Sequence, residues 1–142
     1  MKNEAKMTTH DMLSAFTSPI LNEGVRQEDL ALLNDAAGCS LPQSYIDLMT
    51  KSNGIEGFVG EMNYVVLWPF EQLTEANEGY GVKKFAPGFF LFGSNGGDAG
   101  YVFDTRRTPM PVLEVPFVGM SHAEAKLKGK SFEEFLISLR DG

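Results

Sequence analysis

The chain has 142 residues, with 12 Lys and Arg against 19 Asp and Glu, a net charge of −7 and a pI near 4.8. This acidity argues against a general nucleic-acid binder, which needs a surplus of cations for phosphate contacts, and against docking on an anionic membrane. The length suits a single domain over residues 1–142, and 43% hydrophobic with 11% aromatic residues is enough to fill one core.

Residues 1–8 carry no apolar run, so they read as a mobile tail without a secretion signal. Met12, Leu13 and Phe16 fall at helical spacing before Pro19 and predict a short first helix. A turn follows at Asn22-Glu23-Gly24. Gln27, Glu28 and Asp29 load the first turn of a second helix, where the helix dipole favours acids. Its apolar stripe is Leu30, Leu33 and Ala37, with Leu32 beside it and Gly38 placed to end it. Leu41-Pro42 opens a third helix, with the stripe Tyr45, Leu48 and Met49, Ile46 flanking, and Asn53-Gly54 closing it.

The period then changes. Gly57 to Gly60 and Tyr64 to Trp68 read as strands, because Tyr and Val suit a pleated, buried surface. Pro69-Phe70 starts a fourth helix through Leu73, Ala76 and Asn77, broken by Gly79 and Gly81. Phe89 to Phe92 and Tyr101 to Phe103 form a hairpin around the turn Asn95-Gly96-Gly97. Val112 to Val115 is a strand whose flanking Pro109, Pro111 and Pro116 suggest an edge position or strand ends. A last helix begins with the capping box Ser131-x-x-Glu134 and carries Phe132, Phe135, Leu136 and Leu139. The expected fold is therefore α+β: one mainly antiparallel or mixed sheet, flanked by N-terminal helices and one C-terminal helix.

A search for chemistry finds little. The only histidines are His10 and His122, no Gly-x-Ser-x-Gly elbow is present, and no Cys-x-x-Cys or His-x-x-x-His spacing offers a metal site. No catalytic residue, metal ligand or cofactor is expected. The lone Cys39 beside Leu41 reads as a buried, inert thiol and excludes an intramolecular disulfide. The glycine-rich stretch Gly93 to Gly100 lacks both phosphate-binding signatures and lies between two strands, so it reads as a turn. The apolar runs Tyr64 to Phe70 and Phe89 to Phe92 are too short to span a bilayer. A cytoplasmic location is the default.

Five segments read together resemble a known family. Val25 to Gly57 contains an acidic helix, then Leu41-Pro42-Gln43-Ser44-Tyr45, an apolar helix and Asn53-Gly54. Leu67-Trp68-Pro69-Phe70-Glu71-Gln72-Leu73 follows. Next come Phe92-Gly93-Ser94-Asn95-Gly96-Gly97 and Tyr101-Val102-Phe103-Asp104. Lys130-Ser131-Phe132-Glu133-Glu134-Phe135-Leu136 closes the series. In this order over about residues 25–140 the chain resembles the SUKH superfamily. The shared positions are scaffold residues and carry no catalytic group. The resemblance implies a protein-binding role: bacterial members act as immunity proteins against toxins, often nucleases, and fungal relatives regulate cell-wall assembly through protein contacts. Fold alone does not fix function.

Charge location gives that implication a surface. Residues 11–78 hold eleven carboxylates against Arg26 and Lys51, a balance of −9, whereas the remainder nets slightly positive. A cognate toxin that grips nucleic acid is basic around its active site, so an acidic inhibitor competes for that surface. The expected contact residues are Glu56, Glu61, Glu71, Glu75 and Glu78, with Trp68 as anchor and Asp98 on the rim. The alternatives are an intracellular adaptor or regulator binding an endogenous protein, and a small-ligand binder under the glycine loop. A homodimer is left open: exposed Phe58 or Phe117 would support it, although core or turn packing is the simpler reading of both.

Overall fold

The computed structural model describes residues 7–142. It is an α+β domain in which seven strands form one antiparallel meander in chain order. The elements are α1 (Thr9–Ser14), β1 (Phe16–Leu21), α2 (Leu30–Ala37), α3 (Gln43–Lys51), β2 (Ile55–Val59), β3 (Asn63–Leu67) and α4 (Phe70–Gly79). They continue with α5 (Val82–Phe85), β4 (Phe89–Ser94), β5 (Ala99–Asp104), β6 (Val112–Pro116), β7 (Lys126–Gly129) and α6 (Phe132–Asp141).

The expected tail lies outside the described residues for 1–6. Thr8 belongs to the fold: its hydroxyl accepts from the Asp11 N–H and the Asp11 carboxylate accepts from the Thr8 N–H. This reciprocal pair satisfies two of the free donors at the start of α1. The first helix is shorter than its periodicity suggests. Phe16 opens β1 instead, pairing with Val59 and pointing into the core. Ser18 at φ 46° and Pro19 interrupt the β1 register between Thr17 and Ile20. The acidic turn Gln27–Asp29 is 3-10 and runs into α2, which ends on Gly38 in the left-handed region at φ 74°.

Val112–Pro116 is not an edge strand. Lys126–Gly129 pairs outside it as β7, a strand whose Lys-Leu-Lys-Gly sequence carries no alternating apolar signal. The prolines instead mark the ends of β6. The capping box on α6 is also modified: Ser131 accepts from the Glu134 N–H, but Glu134 accepts from the N–H of Lys130 rather than of Ser131.

Helices cover the inner face of the sheet along its length. Met12 of α1, Tyr45, Leu48 and Met49 of α3, and Phe132, Phe135, Leu136 and Leu139 of α6 pack with Ile55, Val65, Leu67, Phe92 and Phe103. Tyr45 lies at the centre, edge-on to Phe92, Phe103 and Phe132 at ring separations of 5.3–5.6 Å. On the outer face a second cluster joins Val82 of α5 and Ala86 just after it to Phe89, Leu91, Val102, Val115 and Met120. Strands β4 and β5 are consequently buried on both faces. The outer face of β1–β3 carries no helix, and Ile20 and Phe58 are exposed there.

Strand β3 pairs with β4 only at Val66–Ser94 and Leu67–Gly93, and the Trp68 N–H adds one bond to the Phe92 carbonyl. Beyond that point α4 replaces a strand at the edge of β4. Asn77 of α4 donates to the Leu91 carbonyl at 2.8 Å and accepts from the Leu91 N–H at 2.9 Å. The amide side chain thus stands in for a strand neighbour and keeps the buried edge paired. Asn53 plays a related part: its Oδ1 accepts from the Phe70 N–H at 2.8 Å and caps α4 from the end of α3.

Two outcomes follow from this packing. Replacing Asn77 with Ala strands both backbone groups of Leu91; the expected cost is about 2 kcal/mol in urea unfolding, with faster amide exchange at Leu91. The Tyr45 hydroxyl is buried and has no hydrogen-bond partner among the described residues. Tyr45→Phe is therefore expected to preserve the fold and raise stability by about 1 kcal/mol, whereas a loss of stability would point to a bonded hydroxyl.

Candidate functional site

The expected contact residues fall into three places. Glu71, Glu75 and Glu78 lie on α4 at positions i, i+4 and i+7 and are all exposed, so they form one stripe along a single helix face. The Glu71 carboxylate accepts from Asn53 Nδ2 at 2.8 Å, which fixes the first member of the stripe. Beside it a groove between α2 and α4 is lined by Leu32, Asp35, Phe70, Glu71 and Thr74. Asp35, a carboxylate from α2, thereby joins the α4 acids, and Leu32 adds an exposed apolar neighbour. Neither was singled out from the sequence for this surface. Only the packing of α2 on α4 brings them there.

The second place is the outer face of the sheet. Glu56 of β2 accepts a hydrogen bond from the Tyr64 hydroxyl of β3, an interaction that raises the phenol's pKa. Tyr64 packs edge-on to Phe58 and lies under the backbone of Gly96 in the β4–β5 loop. Asp98 is exposed in the same loop, and its carbonyl accepts from the Phe117 N–H. Phe117 in turn stacks between Tyr80 at 4.2 Å and Trp68 at 6.5 Å. Trp68 is half-buried and touches both core clusters, so it is neither wholly core nor a free anchor. Glu56, Trp68 and Asp98 thus belong to one continuous outer surface.

Glu61 stands apart. It occupies the β2–β3 turn, which docks on the end of α6 through Asn63 Nδ2 and the Leu139 carbonyl. The acids of the sequence segment 11–78 do not share one face, since several are engaged locally. Asp29 faces Arg26 at 3.4 Å, and Asp47 accepts from Gln43. The stripe on α4 with Asp35 gathers four carboxylates, with Lys83 and Lys84 lining the cavity that Asp35 and Glu78 share.

The glycine-rich loop is closed on itself. Ser94 Oγ accepts from the Gly96 N–H, and Asn95 Oδ1 accepts from the N–H groups of Gly97 and Ala99. The donors that would cradle a phosphate are therefore already in use. No cluster of three His, Cys, Asp or Glu able to hold a metal ion occurs among the described residues. No helix among them is long and apolar enough to cross a membrane.

A buried charge anchors the end of β5. Asp104 is 3% exposed and accepts from the backbone N–H of Arg106 at 3.0 Å and from its Nε and Nη2 at 2.9 and 3.1 Å. Arg107 Nε approaches the same carboxylate at 3.4 Å. The Arg106 hydrogen bonds hold the Asp104 pKa below its ordinary range, against the opposing effect of burial. The Arg106 side chain lies across Gly88, which sits at φ 91°; a Cβ there would come within 2.6 Å of Arg106 Cδ. Because the folded-state pKa is depressed, this stabilisation is present above the unfolded carboxylate value of about 3.9 and is lost as pH falls through the lower folded value. Asp104→Asn is expected to cost about 1–3 kcal/mol at neutral pH. The gap between wild type and variant should close in urea unfolding at strongly acid pH, and a gap independent of pH would contradict this account.

Among known proteins, no curated sequence matches the chain. A family model described as the SMI1 / KNR4 family (SUKH-1) matches residues 24–138. The match begins just before α2 and ends inside α6, so it takes in β2–β7 with α2 to α5 and most of α6, and leaves out α1 and β1. On that match, joined to the α+β meander and the Leu41–Tyr45 and Ser131–Leu136 segments that sit at its core, the chain belongs to the SMI1 / KNR4 family (SUKH-1).

Proposed function

We propose that the chain is a non-enzymatic, cytoplasmic protein-binding module of the immunity type, which neutralises a basic toxin domain such as a nuclease. The observation that carries this reading is the exposed stripe of Glu71, Glu75 and Glu78 on α4. Three carboxylates on a rigid helix, extended by Asp35 across the α2–α4 groove, match the cationic surface with which a nuclease holds its substrate. Membership in a family whose domains act through protein contacts supports the same reading. Trp68, Tyr80 and Phe117 stack at the side of α4 and supply aromatic area for the centre of such an interface. Glu56 and Asp98 extend it along the sheet. Glu61, at the opposite turn, contributes through the long-range field only.

Mechanistically, the acids steer encounter and the aromatic stack holds the complex. Neutralisation is then occlusion: the toxin's substrate-binding surface is covered by groups that mimic phosphate charge.

The test pairs the chain with a basic nuclease toxin domain, taken from the neighbouring gene where that gene encodes one. Combining Glu71→Lys, Glu75→Lys and Glu78→Lys should lower the association rate about tenfold at low salt, with the difference shrinking as salt rises. An unchanged rate and affinity would remove the electrostatic basis. Recovery of only a non-toxic endogenous protein from the source cells would favour the regulator instead.

A further inference from the structure

A second groove, of opposite sign, lies on the outer face at the other end of the sheet. Its volume is about 650 Å³, and it is lined by Phe89, Leu113 and Leu127 together with Arg106, Arg107, His122 and Lys130. It shares no lining residue with the acidic stripe on α4. We propose that this groove binds an acidic segment of a protein, in which carboxylate side chains alternate with apolar ones.

The floor and rim differ in chemistry. Leu113 and Leu127 are cross-strand partners on β6 and β7, and Leu127 is 57% exposed although it faces the groove. Phe89 closes the floor, with Arg106 over its ring at 5.4 Å and His122 edge-on at 4.8 Å. His122 is itself fixed, since its Nε2–H donates to the Pro87 carbonyl at 2.8 Å. The floor of the groove is therefore held in place, which lowers the entropy lost on binding there.

The charges select the occupant. Three permanent cations face one carboxylate, Asp104, and Arg106 is committed to that carboxylate through two guanidinium bonds. Arg107 is 73% exposed and only loosely held by Asp104, and Lys130 is also exposed. These two remain as rim donors for single negative charges beside an apolar floor. A phosphate dianion gains little here, because the strongest donor is already neutralised. An extended polyanion, a membrane or a nucleic acid, would reach past the groove onto the rest of a chain with a net charge of −7 and be repelled, whereas a short acidic segment stays within the groove. A carboxylate next to a leucine or similar side chain satisfies both rim and floor. The slightly positive balance outside residues 11–78 thus has a structural location, which composition alone does not give.

The probe is a fluorescein-labelled hexapeptide of alternating glutamate and leucine, titrated by anisotropy against the full chain. Saturable binding is expected, with chemical-shift changes at Leu113, His122 and Leu127. Arg107→Glu combined with Lys130→Glu should weaken binding about tenfold or more, as should the glutamine version of the peptide. Leu127→Ser should weaken it separately. All three altered side chains are exposed; because Arg107→Glu also takes a cation from beside Asp104, a circular dichroism melt checks that the variants fold. Equal binding by wild type and the double variant would overturn the proposal. So would shifts confined to other surfaces, or binding to anionic phospholipid vesicles without binding to the peptide.

Discussion

Everything in this molecule is referred to the aromatic stack at the inner face of β4 and β5. Phe92 and Phe103 lie parallel at 4.1 Å across the hairpin, and Tyr45 and Phe132 meet both rings edge-on or tilted. This joins the third helix, the last helix and the central hairpin, elements far apart in the chain, at one point. Aromatic rings in such arrangements gain quadrupole attraction beyond simple burial. Because the rings are large and closely packed, α3 and α6 have little freedom to shift, and the strands carry their outer-face residues in fixed register. An unpaired Tyr45 hydroxyl is tolerated inside this cluster because the ring's contacts outweigh one unmet hydrogen bond.

The fixed centre leaves the surroundings of the sheet free to differ. At its middle α4 lies beside β4 and is held there by a side-chain amide, with its acidic stripe exposed. At one end, the last two strands carry basic and apolar side chains past the covering helices. The polarity of the molecule is thus a matter of which elements cover the sheet, and where.

Much of this was legible in the sequence, and the failures have physical causes. Helices α2, α3, α4 and α6 announce themselves through apolar spacing and end signals such as Gly38 and Ser131, because those signals are local. The β4–β5 hairpin was legible because strands buried on both faces read as continuous apolar runs. The β1 strand was not, since Phe16 alone faces the core while its neighbours are exposed and Pro19 breaks the pattern. The β7 strand was hidden by lysines for the same reason: edge strands need no alternating burial. Asn77 and Asn53 looked like a helix residue and a turn residue. Their hydrogen bonds to Leu91 and Phe70 span 14 and 17 positions, and no local rule reports such a pairing. Of the expected contact residues, the Glu71, Glu75 and Glu78 spacing could be read as a helix stripe, but Asp35 joins that stripe only through tertiary packing.

The two outer strands have one further consequence. An open meander leaves an unpaired backbone ladder on each side, and such ladders recruit strands from other chains. Here Ser18 and Pro19 kink one ladder, and Lys126, Lys128 and Lys130 line or adjoin the other. Recruitment through main-chain hydrogen bonds is discouraged at both sides. Recognition is left to side chains on the faces, where a few substitutions can change the partner while the scaffold stays as it is.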